Sequence, residues 1–247
     1  MRDLEETYTR LGRKQAELER LRPLHADSLA ALDRWYDVEL TYTSNAIEGN
    51  TLTRSETAIV IEKGITVRGK RLHDHLEAID HDEAVRLMRD LASGSAPVDE
   101  AAVLDLHRVV LKRSLPDEAG RYSQFQRRIA GSVVVFPSPH KVPDLMKTLG
   151  AWLAASEPSP KTAFEAHFRL VAIHPFSDGN GRTARLLMNL ILLRAGYPIV
   201  AVLPEDRADY IDAIEARHLG RDGAPLEVLL AVALERSLDQ YLATVQV

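Results

Sequence analysis

The chain contains no cysteine in its 247 residues. That excludes a disulfide framework, a zinc–thiolate site and a thiol nucleophile. A reducing compartment fits this, and a cytoplasmic location is the expectation. No apolar run reaches the length of a membrane span, and the opening stretch MRDLEETYTR lacks the apolar core of a secretory leader, so neither membrane attachment nor a leader is expected. An excess of positive charge is also missing: 31 Lys and Arg stand against 36 Asp and Glu, a net charge of −5. This argues against nucleic acid as a partner, because general affinity for it needs a basic surface. Lys70-Arg71 and Arg127-Arg128 read as solvated charges. There is no internal repeat, no low-complexity tract and no Walker A loop.

What the chain does have is helical periodicity. With 45% hydrophobic and 27% charged residues it can bury a sizeable core. Glu5–Leu21 reads as a charged surface helix ended by Arg22-Pro23. Ser28–Glu48 reads as a second helix, with Leu29, Leu32, Trp35, Val38 and Tyr42 on its apolar face and Gly49 as its stop. Thr53–Glu56 is a capping-box pattern that opens a third. Further helices are expected over His73–Leu91, Asp99–Arg113, Asp144–Ala155, Ser159–Ile173, Arg182–Ala195, Asp206–Leu219 and Leu226–Ala243. The β-branched run between Gly120 and Pro143 reads as one β-hairpin. The expected fold class is all-α with that single hairpin.

One stretch, IHPFSDGNGRTARLL from Ile173 to Leu187, has the composition of a site. A helix is expected to end at His174 and another to begin near Gly181, with a tight turn between them. Gly179 and Gly181 allow backbone conformations that a side chain would block. Successive N–H groups in such a turn form an anion nest that opens onto a helix N-terminus. Arg182 and Arg185 share one face of the first turn and suit a polyphosphate. Asp178 beside the nest suits Mg²⁺. His174 is the one side chain in the stretch able to act as a general base near pH 7. With no built-in nucleophile, the simplest chemistry is direct transfer from a nucleotide to an outside hydroxyl.

HPFSDGNGRTAR resembles the signature of the Fic family, His-x-Phe-x-Asp/Glu-Gly-Asn-Gly-Arg-x-x-Arg, at every fixed position. The resemblance spans roughly Asp99 to Leu219. It implies a Fic-type helical core and transfer of AMP from ATP to a Ser, Thr or Tyr hydroxyl of a target protein. By position, His174 would take the hydroxyl proton and Asp178 would hold Mg²⁺. The Gly179–Gly181 backbone with Asn180 would seat the α- and β-phosphates, and Arg182 and Arg185 would hold the β- and γ-phosphates. The phosphate-transferring relative Doc has Lys where this chain has Gly181, which favours AMP transfer. The Gln126–Phe136 hairpin would be the family's flap, its edge pairing with the target protein. Family members often carry Tyr-Arg ahead of the flap; this chain has Tyr122-Ser123.

Far upstream, SNAIEGN resembles the family's inhibitory motif, with Ser44 and Glu48 matching. Its place ahead of the core is that of the class with an N-terminal inhibitory helix. The resemblance implies that residues 1–94 form an N-terminal helical region carrying the inhibitory motif, and residues 95–247 the catalytic core. A pair between Glu48 and Arg185 would keep ATP from its productive pose and hold the basal rate low. The same glutamate would also serve a phosphodiesterase that removes AMP, and a nucleotide-sensing interaction module is a third reading; intact His174 and Asp178 count against the last. Self-modification and a homodimer are both compatible with the resemblance. A C-terminal winged-helix extension is not expected after Ala243. Asn189 and Tyr210 could line the adenine pocket or serve packing.

Overall fold

A computed structural model describes residues 4–21, 26–129 and 131–245. Its helices are α1 (Leu4–Arg20), α2 (Ala26–Ile47), α3 (Arg54–Lys63), α4 (Leu72–Ser93), α5 (Glu100–Val110), α6 (Val142–Ala155), α7 (Pro160–Ile173), α8 (Asn180–Arg194), α9 (Arg207–His218) and α10 (Ala224–Val245). Short 3₁₀ turns precede α6 and α9. The starts are chemically marked. Thr53 and Glu56 close a reciprocal capping box ahead of α3. Asp99 caps α5, and Ser159 caps α7 with Pro160 at the first position.

The core is arranged around α8. Its Leu186-Leu187-Met188 and Leu190-Ile191-Leu192 runs are apolar on all sides, and such a helix has to be surrounded. α7, α4, α5 and α2 pack around it. α1 lies against α10 rather than free on the surface as its charge suggests. Leu11 and Leu18, seven residues apart and therefore on one face, are both buried. Its cations pair across that contact: Arg10 and Lys14 both reach Glu235. The turn expected at Arg22-Pro23 lies outside the described residues.

α2 buries a different stripe from the one its hydrophobicity suggests. Tyr36, Leu40, Thr43, Ser44 and Ile47 face inward, whereas Trp35 is 44% exposed. The inward face is partly polar because it meets buried arginines on α8.

The β-hairpin expected over Gln126–Phe136 does not form as a ladder: among the described residues there is no strand. The segment is extended on one arm, with Val134 and Phe136 buried and Val133 and Val135 exposed. Its backbone groups find side-chain partners instead. Gln126 Nε2 donates to Phe136 O at 2.7 Å, and Val134 N–H donates to Ser132 Oγ at 3.1 Å. Pro137 and Pro139, which lack an N–H, follow directly.

α5 and α6 cross closely at Gly150. A Cβ there would lie 2.7 Å from the Glu100 backbone nitrogen and 3.3 Å from its Cα. Gly150→Ala is therefore expected to destabilise the fold by about 1–3 kcal/mol through overpacking. A fall of several degrees in the melting midpoint would register it; an unchanged midpoint would contradict the close approach.

Candidate active site

α7 stops where it does for two reasons. Pro175 cannot continue a helix. His174 takes a left-handed conformation, φ 50° and ψ 56°, and it is the one non-glycine with positive φ among the described residues. Its backbone N–H still donates to Leu170 O at 3.0 Å. A residue held this way at a helix end is where function is to be sought.

The turn that follows is braced from inside. Asn180 clips it in both directions: Nδ2 donates to Phe176 O at 2.9 Å, and Oδ1 accepts from Phe176 N–H at 3.0 Å. Its amide is thus spent on the shape of the loop, and what it can offer a ligand is its backbone. Phe176 is fully buried and stacks flat on His107, with ring centroids 3.6 Å apart. His107 Nδ1 accepts from Gly120 N–H, so Nε2 carries the proton and donates to Asp178 O at 3.0 Å. Gly179, at φ 74°, passes close to the same ring. The turn then opens into α8 at Asn180, two residues earlier than the periodicity places it.

Two arginines lie in the first turns of α8, and both are almost wholly buried. Arg182 Nη1 donates to Glu77 Oε1 at 2.7 Å, and Nη2 to Asp178 Oδ2 at 3.0 Å. Arg185 Nε donates to Ser44 Oγ at 2.9 Å, and Nη2 to Ser44 O at 2.9 Å and Glu48 Oε1 at 2.7 Å. The Glu48 carboxylate stands over the helix N-terminus, where a Cβ on Gly181 would collide with its Oε1. The anion that meets Arg185 is thus the protein's own.

A cavity of 130 Å³ joins these groups. His174, Gly181, Arg185, Glu48 and Tyr210 line it, together with Phe136 and Val134 from the extended segment. The His174 ring stacks on Phe136 at 4.0 Å. Burial pushes its pKa down to about 4, so the imidazole is neutral near pH 7 and free to accept a proton. Tyr210, fully buried, hydrogen-bonds His167 Nε2 at 2.6 Å. Asn189 is a packing residue: its amide pairs with the Val200 backbone in both directions.

Among the described residues no group of three or more His, Asp or Glu side chains could cage a metal. Asp178 is a single carboxylate, 46% exposed, with Gly179 N–H on Oδ1 and Arg182 on Oδ2. One carboxylate fits Mg²⁺ that keeps its waters and takes phosphate oxygens, and does not fit an all-protein site.

The Fic/DOC family model matches residues 97–192. A solved fragment of Fic-1 from Caenorhabditis elegans superposes with a TM-score of 0.90 and 32% identity, covering 98% of this chain and 73% of that one. The chain belongs to the Fic/DOC family. A Fic domain-containing signaling protein from Bacteroides thetaiotaomicron superposes at 0.87 with 28% identity, covering 97% of both chains. Protein adenylyltransferase Fic from Nematostella vectensis is 40% identical over 82% of this chain. The chain spans about half the length of the curated relatives it matches.

Within the Fic signature the structure brings His174, Gly181 and Arg185 to one cavity with Glu48, while Ser44 holds Arg185 from behind and Asp178 and Arg182 pair with each other. Where Fic proteins often have Tyr-Arg, Ser123 N–H donates to Pro175 O at 2.9 Å and ties the extended segment to the loop. Sequence reasoning missed Glu77 and His107. Glu77 belongs to an acidic row, Asp74, Glu77 and Asp80, all buried in α4; that spacing of three was the available signal. His107 gave none.

Burial holds four histidines low: His107 and His174 to about 4, His167 to about 3, and His81 well below the ordinary 6.5. The unfolded chain thus binds more protons than the folded one between these values. Stability is fully present above about pH 6.5 and is lost as pH falls toward 4. Urea titrations across pH 4–7 should show this slope, and His167→Phe, which removes one of the four titrations, should make it shallower.

Proposed function

We propose that this chain is a protein adenylyltransferase, which moves AMP from ATP to a Ser, Thr or Tyr hydroxyl of a target protein. The observation that carries the reading is the single cavity lined by a neutral His174, the α8 N-terminus at Gly181 and Arg185. The names of the curated relatives support it.

ATP would lie with its phosphates on the Gly179–Gly181 backbone, where N–H groups and helix dipole favour an anion. Arg185 would hold the terminal phosphate. His174 takes the proton of the target hydroxyl as its oxygen attacks the α-phosphorus. The bond from that phosphorus to the bridging oxygen of the β-phosphate breaks, and pyrophosphate leaves with the electron pair. Mg²⁺ held by Asp178 would supply charge neutralisation on the phosphates. Gly181 leaves room at the helix start that a lysine would fill.

The extended segment up to Phe136 would receive the target. Its backbone has no strand partner among the described residues, and Val133 and Val135 face outward, which suits pairing with an extended peptide. Self-modification would use the same edge, and a homodimer could cover it. The chemistry fits a cytoplasmic setting, and no helix among the described residues is long and apolar enough to cross a membrane.

Residues 1–94 would act as the regulatory region of the class with an N-terminal inhibitory helix. Glu48 on Arg185 denies the terminal phosphate its seat, so bound ATP would present a misaligned α-phosphorus. Misplacement of that kind costs about 100-fold in rate.

With ATP labelled on the α-phosphate, Mg²⁺ and wild-type protein, little label should reach protein. Glu48→Gly should raise it by about 10- to 100-fold, and adding His174→Ala should abolish it. Equal labelling of wild type and Glu48→Gly would remove the inhibitory role; labelling that survives His174→Ala would remove the base.

A further inference from the structure

Glu77 lies on α4, outside the span matched by the family model and outside the signature. It is nonetheless a buried carboxylate in direct contact with that signature. Oε1 accepts from Arg182 Nη1 at 2.7 Å, and Oε2 accepts from Asn50 Nδ2 at 2.9 Å. His73 Nε2 stands 3.4 Å from the same Oε1. Arg182, 1% exposed, turns its other terminal nitrogen to Asp178 Oδ2. The guanidinium is a strut between a fixed carboxylate on one side and a half-exposed carboxylate on the other.

From this geometry we infer that Glu77 is a positioning residue for Asp178, acting through Arg182, and that it sets how readily Asp178 takes a divalent cation. The inference rests on the reading of Asp178 as the cation ligand. A cation arriving at Asp178 competes with Arg182 for Oδ2. Arg182 can yield that oxygen only if its own charge stays compensated, since an unpaired buried charge is strongly unfavourable. Glu77 supplies the compensation from the opposite nitrogen. Without it, Asp178 would be the one carboxylate left to Arg182, and the guanidinium fork would close on it in two parallel bonds. The carboxylate would then be withheld from the cation. Asn50 keeps Glu77 in place: its amide also donates to Asp74 O at 3.0 Å, and its Oδ1 accepts from Leu52 N–H.

The test is made in the Glu48→Gly protein, so that the phosphate seat is open. The affinity of a fluorescent ADP analogue is measured in EDTA and then across a Mg²⁺ titration. Glu77→Gln keeps the shape but removes the charge, and its one amide oxygen can accept from only one of Arg182 and Asn50. It should not weaken binding in EDTA, because it takes a negative charge away from the phosphates. It should reduce the gain produced by Mg²⁺ by about 10-fold or more, the usual cost of removing an outer partner of a ligand carboxylate. Glu77→Asp should restore part of the gain. Asp178→Ala should abolish it, and adding Glu77→Gln to Asp178→Ala should change nothing further.

A full Mg²⁺ gain in Glu77→Gln would overturn the inference, as would an additional loss in the double variant. If Glu77→Gln loses its cooperative melt, the neutral Glu77→Met, of similar length, carries the test, and a parental Mg²⁺ response there would count against the inference. A full Mg²⁺ gain in Asp178→Ala would overturn both the cation reading and the inference. AMP transfer itself is read separately, by the label reaching protein.

Discussion

Two guanidinium groups buried in the first turns of α8 constrain most of this molecule. Arg182 is 1% exposed and Arg185 is 2% exposed. A charge placed there has to be met by carboxylates and carbonyls on nearly every side, or the site would not hold it. Asp178 is the one such group from the signature itself. The others come from the N-terminal helices: Ser44 and Glu48 from the end of α2, Glu77 from α4. The packing of α2 and α4 on α8 is therefore an electrostatic requirement as well as an apolar one. It accounts for Ser44 on the buried face of α2 and for Glu77 inside α4, whereas Asp74 and Asp80 of the same row meet Arg71 and Arg113.

The turn before α8 is held to the same standard. An anion nest works only if its N–H groups already point at the ligand, because reorienting them at each binding event would cost what they return. Here the loop is clipped by Asn180, floored by Phe176 and backed by the neutral ring of His107. Neutrality matters. A protonated His107 would present a donor to Gly120 N–H in place of an acceptor, and the brace would open. Burial, which disfavours the charged form, thus maintains the shape that the phosphate site needs.

How much of this could be read beforehand depends on the distance along the chain over which each feature is encoded. The helices were legible because their signals are local: Thr53 with Glu56, Ser159 before Pro160, and the all-apolar run after Arg185. The signature was legible for the same reason, since His174, Asp178, the glycines and both arginines fall within twelve residues. Glu77 and His107 act across 105 and 71 residues; the spacing of Asp74, Glu77 and Asp80 marks an acidic face without naming its partner, and nothing around His107 distinguishes it from a core histidine. α1 misleads because its charge was counted and the spacing of Leu11 and Leu18 was not. The hairpin misleads differently. Alternation from Ser132 to Phe136 correctly marks one extended arm with a buried and an exposed face, but alternation cannot say that a second arm will pair with it.

The two carboxylates that reach the arginines from outside the signature are not equivalent, and their difference decides where control can be exerted. Glu77 sits within α4, its side chain 11% exposed and locked from both oxygens. Moving it would mean moving the helix. Glu48 comes one residue after the last helical position of α2, with its side chain 37% exposed. There the helix dipole opposes a negative charge. Gly49, at φ 95°, follows and turns the chain out of the helix. One contact is thus enclosed within a helix and the other lies at a half-exposed helix end, against its local electrostatics, with Arg185 as its compensation. A polyphosphate that competes for Arg185 needs to displace only the second. The Arg182 strut can then remain in place throughout, and Asp178, the proposed cation carboxylate, keeps its partner whether Glu48 is seated or withdrawn.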